Sequence, residues 1–192
     1  MPTLYLAQDA KADKLLATDP LALLVGMLLD QQIPMEWAFT GPYLLAQRLG
    51  VKKLSVRELA EHDLDDLIRI FTGPPALHRF PKAMAERTQA LARTLVERFN
   101  GDPASVWKGA ADGTDLVKRI GMLPGFGKQK AQIFGALLAK RFGVRPDGWQ
   151  AATGAFGEDG VYRSVADITD DASLAKVREY KKEMKAAAKK DA

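Results

Sequence analysis

Apolar positions along this chain recur at three- and four-residue spacing, and no stretch alternates apolar and polar with period two, so the pattern predicts helices throughout. Asp19-Pro20 opens the clearest element: an aspartate that can cap, then a proline in the first turn, where its missing N–H costs nothing. The helix from Pro20 to about Gln31 is apolar nearly all round, as expected of a central buried helix. Ser55-Val56-Arg57-Glu58 fits a capping box and predicts a helix to about Phe71, stopped by Thr72-Gly73-Pro74-Pro75. Pro81 opens a longer helix through Phe99, ended by Asn100-Gly101. Asp102-Pro103 repeats the cap-and-proline start, and Thr114 caps a short helix from Asp115 to Gly121. After Leu123-Pro124-Gly125-Phe126-Gly127 a further helix runs from Lys128 to about Arg141. Residues 142–160 carry Gly143, Pro146-Asp147-Gly148, Gly154, Gly157 and Gly160 and read as loop. A last helix spans about Ala172 to Lys190. The expectation is a single all-α unit over residues 1–192, with roughly eight to ten short helices.

Composition narrows the chemistry. The chain has no cysteine, which excludes a disulfide framework, a zinc ribbon, an iron–sulfur cluster and a cysteine nucleophile. With only His62 and His78, a histidine-rich metal site is not expected either. The longest apolar run, Leu21 to Leu29, falls far short of the roughly 20 residues that span a bilayer. The N-terminus lacks a basic segment followed by an apolar run. A cytoplasmic protein without membrane contact is therefore expected. The net charge of +4 is compatible with a nucleic acid partner without requiring one.

The most informative segment joins two short amphipathic helices through the turn Leu123–Gly127. Gly125 and Gly127 can take positive φ and let a ligand approach the backbone. Free N–H groups at the turn and at the start of the next helix carry partial positive charge, and Lys128 and Lys130 add full charges. Such a unit can hold a phosphate backbone without reading its sequence. The plainer alternative is an αα-hairpin with a glycine turn.

Leu-Pro-Gly-Phe-Gly-Lys-Gln-Lys-Ala, residues 123–131, resembles the helix-hairpin-helix signature Leu-Pro-Gly-Val/Ile-Gly-x-x-x-Ala. That signature belongs to the helix-hairpin-helix (HhH-GPD) DNA glycosylase superfamily, which includes endonuclease III, the adenine glycosylase and 3-methyladenine glycosylase II. Residues 23–34, Leu-Leu-Val-Gly-Met-Leu-Leu-Asp-Gln-Gln-Ile-Pro, resemble the family's buried helix and the glutamine-bearing turn that ends it. The resemblance implies a two-lobed all-α fold that binds double-stranded DNA as a monomer and excises a damaged or mispaired base. It assigns backbone binding to Gly125, Phe126, Gly127, Lys128, Gln129 and Lys130. It assigns the filling of the gap left by the extruded base to Gln32 or its neighbour Gln31. It also implies a monovalent cation held by hairpin carbonyls, with no metal in the chemistry.

Cleaving an N-glycosidic bond puts positive charge on the sugar, so a carboxylate is expected beside it. The resemblance places that acid at Asp147, 18 positions after Gln129. Pro146-Asp147-Gly148 is also an ordinary turn sequence, whose aspartate needs no catalytic role. Glu158, Asp159 and Asp167 are the other candidates. Gln129 stands where the family's bifunctional members keep a lysine nucleophile, which implies a monofunctional enzyme that uses water and has no lyase step. Lys128 and Lys130 point about 100° away from that position on a helix. The absence of cysteines departs from the cluster-bearing members and points to a branch without the iron–sulfur cluster.

The remaining features carry two readings each. The tail Lys176–Lys190 holds seven basic and two acidic residues, either a salt-bridged solvated face or a surface for DNA phosphates. Arg79 and Lys82 are candidates for phosphate contact. Trp37 and Trp149 could stack on a base or simply pack, and Trp107 reads as packing. Two other functions stay open: a catalytically silent, structure-selective DNA-binding protein using the same hairpin, and a helical protein–protein module.

Overall fold

The computed structural model describes residues 2–190, and every regular element among them is helical. Asp9 caps α1 (Ala10–Thr18) by accepting from the N–H groups of Lys11 and Ala12. Asp19 does the same for α2 (Pro20–Leu29). Its second carboxylate oxygen takes the N–H of Leu54 at 2.9 Å, tying the start of α2 to the loop before the next helical pair. Every residue from Leu21 to Leu29 is buried. A helix with no polar face gains most at the centre, since each large apolar side chain taken from water contributes roughly 1.5–3 kcal/mol. Accordingly α1, α3 (Met35–Arg48) and α6 (Pro81–Phe99) all pack against α2.

The sequence pattern does not foresee α1 or α3. Gly41-Pro42 reads as a breaker, yet it lies inside α3. Gly41 faces α2 so closely that a Cβ there would come within 2.6 Å of Leu29 Cδ1. The helix that was expected to run to Phe71 divides into α4 (Val56–Glu61) and α5 (Leu64–Thr72). Asp63 causes the break: its carboxylate accepts the Asp66 N–H at 2.8 Å and opens a second N-terminus. Ser55 caps α4 through the Glu58 N–H, but the return bond from Ser55 N–H to the Glu58 side chain that completes a capping box is not formed among the described residues.

The second half begins with the single turn α7 (Ser105–Lys108). Helix α8 (Gly113–Gly121) starts earlier than expected, because Asp112 rather than Thr114 supplies the cap, accepting from Asp115 N–H at 2.8 Å. Helix α9 (Lys128–Phe142) follows the hairpin and packs along α8. The expected loop over residues 142–160 contains α10 (Trp149–Thr153), which covers both. Phe126, Phe134 and Trp107 meet edge to face beneath the hairpin. Helix α11 (Asp171–Lys190) buries only Ser173, Leu174 and Val177. No helix among the described residues is long and apolar enough to cross a membrane.

Candidate nucleic-acid interface

The interface is built around the end of α2. Its last carbonyls need partners, and apolar neighbours offer none. The Lys130 ammonium reaches across from α9 and donates to the carbonyls of Met27 (2.8 Å), Leu28 (3.3 Å) and Asp30 (3.2 Å). Gln31 Nε2 also donates to Leu28 O, at 2.7 Å. The chain then turns back through Gln32, which takes the left-handed conformation at φ +58°. On the other side, the Gln31 carbonyl accepts from His78 Nε2 at 2.9 Å, and Gln31 Oε1 accepts from Arg87 Nη1 at 2.8 Å. Phe80 N–H donates to His78 Nδ1, which fixes the neutral tautomer with the proton on Nε2. Gln31 is thus fully engaged as a brace, whereas Gln32 is exposed at the tip of the turn.

The hairpin seats against the same end of α2. Gly125 adopts φ +82°, and a Cβ on it would fall 2.3 Å from Leu28 Cδ1, so the turn lies directly on the helix. Gly127 has an ordinary φ of −68°, contrary to expectation, and a Cβ there would meet nothing. Its smallness leaves open space in front of the α9 N-terminus. That N-terminus has no side-chain cap. The N–H groups of Gly125, Gly127, Lys128, Gln129 and Lys130 donate to no group among the described residues. Lys128 and Gln129 project into solvent beside them. A second uncapped N-terminus, that of α6, stands nearby behind Phe80, with Arg79 and Lys82 exposed around it.

Two of the hairpin residues have other work. Phe126 is buried against Phe134 and belongs to the core, so its side chain is not a ligand contact. Lys130 is spent on the α2 carbonyls and presents no free ammonium to a phosphate. Burial pushes its ammonium below the usual lysine range; Asp30 opposes this and Arg87 adds to it. His78 is likewise pushed down by burial, against its hydrogen bonds to backbone carbonyls, and with Lys130 and Arg87 adding to the shift.

The acids fall as follows. Asp147 is exposed on a turn, and its carbonyl accepts the Gly113 N–H at 2.8 Å. That contact holds it at the start of α8, whereas the hairpin turn leaves from the end of α8, a rise of about 12 Å further on. The expected acid is therefore not brought to Gln129 or Gln32. Five residues after α9 are too few to carry the chain back along it. Asp167 is buried, paired with Lys140 at 2.6 Å and accepting from Arg163 N–H and Ser164 N–H, which makes it a structural clamp. Glu158 pairs with Arg163 at 2.9 Å, and Asp159 is exposed. Neither contacts the hairpin turn.

The residue that sequence reasoning passed over is Asp30. It caps α2, and its own carbonyl holds Lys130. Nothing among the described residues donates to its carboxylate. Loss of solvent pushes that carboxyl above the usual aspartate range, while the ammonium groups of Lys181 and Lys130 pull it down. Lys181 comes from α11, which is anchored by Tyr5 Oη to Asp171 at 2.5 Å and by an Arg178–Glu36 ion pair. The basic helix therefore passes the same end of α2, and its residues from Lys181 to Lys190 are all exposed.

The tryptophans act as struts. Trp37 Nε1 donates to Ala76 O at 3.0 Å and its ring stacks on His78. Trp149 lies under Arg145 beside the start of α8, and Trp107 packs on Phe134. No family model, curated protein or solved structure matches this chain.

Proposed function

We propose that this protein binds duplex DNA as a helix-hairpin-helix protein of the HhH-GPD glycosylase type and removes a damaged or mispaired base without a lyase step. The observation that carries this reading is that the hairpin seats on the helix ending in the Gln32 turn, 93 positions before Gly125: Gly125 lies on Leu28, and Lys130 holds the Met27, Leu28 and Asp30 carbonyls. One motif offers unpaired N–H groups and Lys128 to a phosphate. The other offers an exposed glutamine beside it, suited to fill a vacated base position. Backbone N–H groups and lysine ammonium hold a strand without discriminating sequence. The Met122, Pro124 and Gly125 carbonyls accept no backbone hydrogen bond among the described residues, and a monovalent cation held at the hairpin carbonyls would add a positive charge at the phosphate. A lyase step needs an accessible unprotonated amine, and Lys130 is spoken for.

The test is excision on duplexes that each carry one modified or mispaired base, developed with and without alkali. Strand breaks only after alkali are the expected result; breaks without alkali would remove the monofunctional assignment. Lys128→Ala should weaken binding to unrelated duplexes alike and flatten the slope of log K against log salt by about 1. An unchanged slope would take Lys128 off the DNA. The exposed, remote position of Asp147 favours one second reading, a structure-selective DNA-binding protein without catalysis. Binding with no excision across a broad panel would establish it.

A further inference from the structure

The expected acid stands away from the interface, and the fallback acids are paired or do not contact the hairpin turn, yet one carboxylate belongs to the interface itself. We propose that Asp30 is the acid of the site, its carboxylate meeting the deoxyribose of a nucleotide extruded beside Gln32 and receiving the proton of the attacking water. The inference rests on the excision reading above and names the group that would serve it.

Three observations support it. Asp30 sits at the C-terminal end of an α-helix, where the helix dipole disfavours a negative charge. Its carboxylate receives no hydrogen bond from the described residues and keeps some exposure, so its lone pairs are open to a ligand. It also lies within electrostatic reach of Lys130 on α9 and Lys181 on α11, which favour its ionised form against burial without consuming its lone pairs in an ion pair. An uncommitted carboxylate beside an exposed wedge is what an oxocarbenium-like transition state calls for.

The step balances as a hydrolysis. The C1′–N bond breaks, and its electron pair leaves with the base. The oxygen of water bonds to C1′, and the proton that water loses passes to the Asp30 carboxylate. Asp30 then returns that proton through solvent to the released base, leaving an abasic site and the free base.

Single-turnover excision on the duplex that the wild-type protein cleaves best provides the test. Asp30→Asn should melt near the wild type, bind that duplex within a few-fold, and excise roughly 10²–10⁴-fold more slowly. Asp147→Asn should excise at the wild-type rate. If the Asn variant melts early, Asp30→Ser, neutral and smaller, carries the same expectation. Wild-type excision with an undiminished Asp30→Asn or Asp30→Ser rate would overturn Asp30 alone. A wild-type protein that binds duplex but excises nothing would overturn the excision reading, and the acid with it.

Discussion

Replacing Lys130 with Met is expected to lower the unfolding free energy by roughly 2–4 kcal/mol, enough to bring the melting midpoint down by about 5–15 °C. Met keeps the length and apolar stem of lysine, so the loss isolates the ammonium. That ammonium meets three carbonyls at the end of α2, and among the described residues only Gln31 also donates a side-chain hydrogen bond there, to Leu28 O. Burial disfavours its charge, so the expected loss lies in the three carbonyls left without a donor. The same change removes the only polar link among the described residues from the first turn of α9 to the turn bearing Gln32. Duplex affinity measured well below the new midpoint should therefore fall as well. A Met variant that melts with the wild type would mean that water satisfies those carbonyls and that the clamp contributes nothing.

Much of the fold is legible because helix starts are local. Asp19-Pro20, Pro81 and Lys128 begin their helices where the pattern places them: Asp19 caps the N–H groups two and three residues ahead, while Pro81 and Lys128 simply follow residues that break the preceding pattern. The misses come from non-local causes. Gly41-Pro42 stays helical because close packing on Leu29 outweighs one lost hydrogen bond. Asp63 and Asp112 outcompete the expected pattern because either carboxylate can cap any N–H group two or three residues ahead, and packing selects which.

The site divides in the same way. The hairpin and the glutamine turn are visible in the residues themselves, but their contact is not. Lys130 looks like a phosphate ligand until its side chain is followed inward, and Phe126 until its ring is seen against Phe134. Asp147 matches by count, but the count cannot show that its turn is held at the start of α8 by the Gly113 N–H. Asp30 did carry one readable signal: an acid at the negative end of an apolar helix is a local violation, and such violations concentrate at functional sites.

Gly113→Ala is expected to cost roughly 3–5 kcal/mol, and it separates the structural role of the Asp147 turn from any chemical one. A Cβ on Gly113 would lie 2.5 Å from both Trp149 N and Trp149 Cα and 2.6 Å from Gly148 C. Those are backbone atoms, so no rotamer change relieves the overlap. The turn must lift away from α8, which breaks the Gly113 N–H to Asp147 O hydrogen bond and uncovers the groove that α10 fills. Gly143→Ala supplies the control: it also sits near a turn, at φ +68°, but a Cβ there meets nothing, so only backbone strain of about 1–2 kcal/mol is expected. Urea unfolding of the two variants reads the difference directly. Equal losses would mean that the turn yields easily and that its backbone contact with α8 is weak. With Gly113→Ala folded at low temperature, the proposed excision should persist in the surviving native fraction, because the proposed acid and phosphate grip both lie at the other end of α8. Selective loss of excision with binding intact would instead return the chemistry to Asp147.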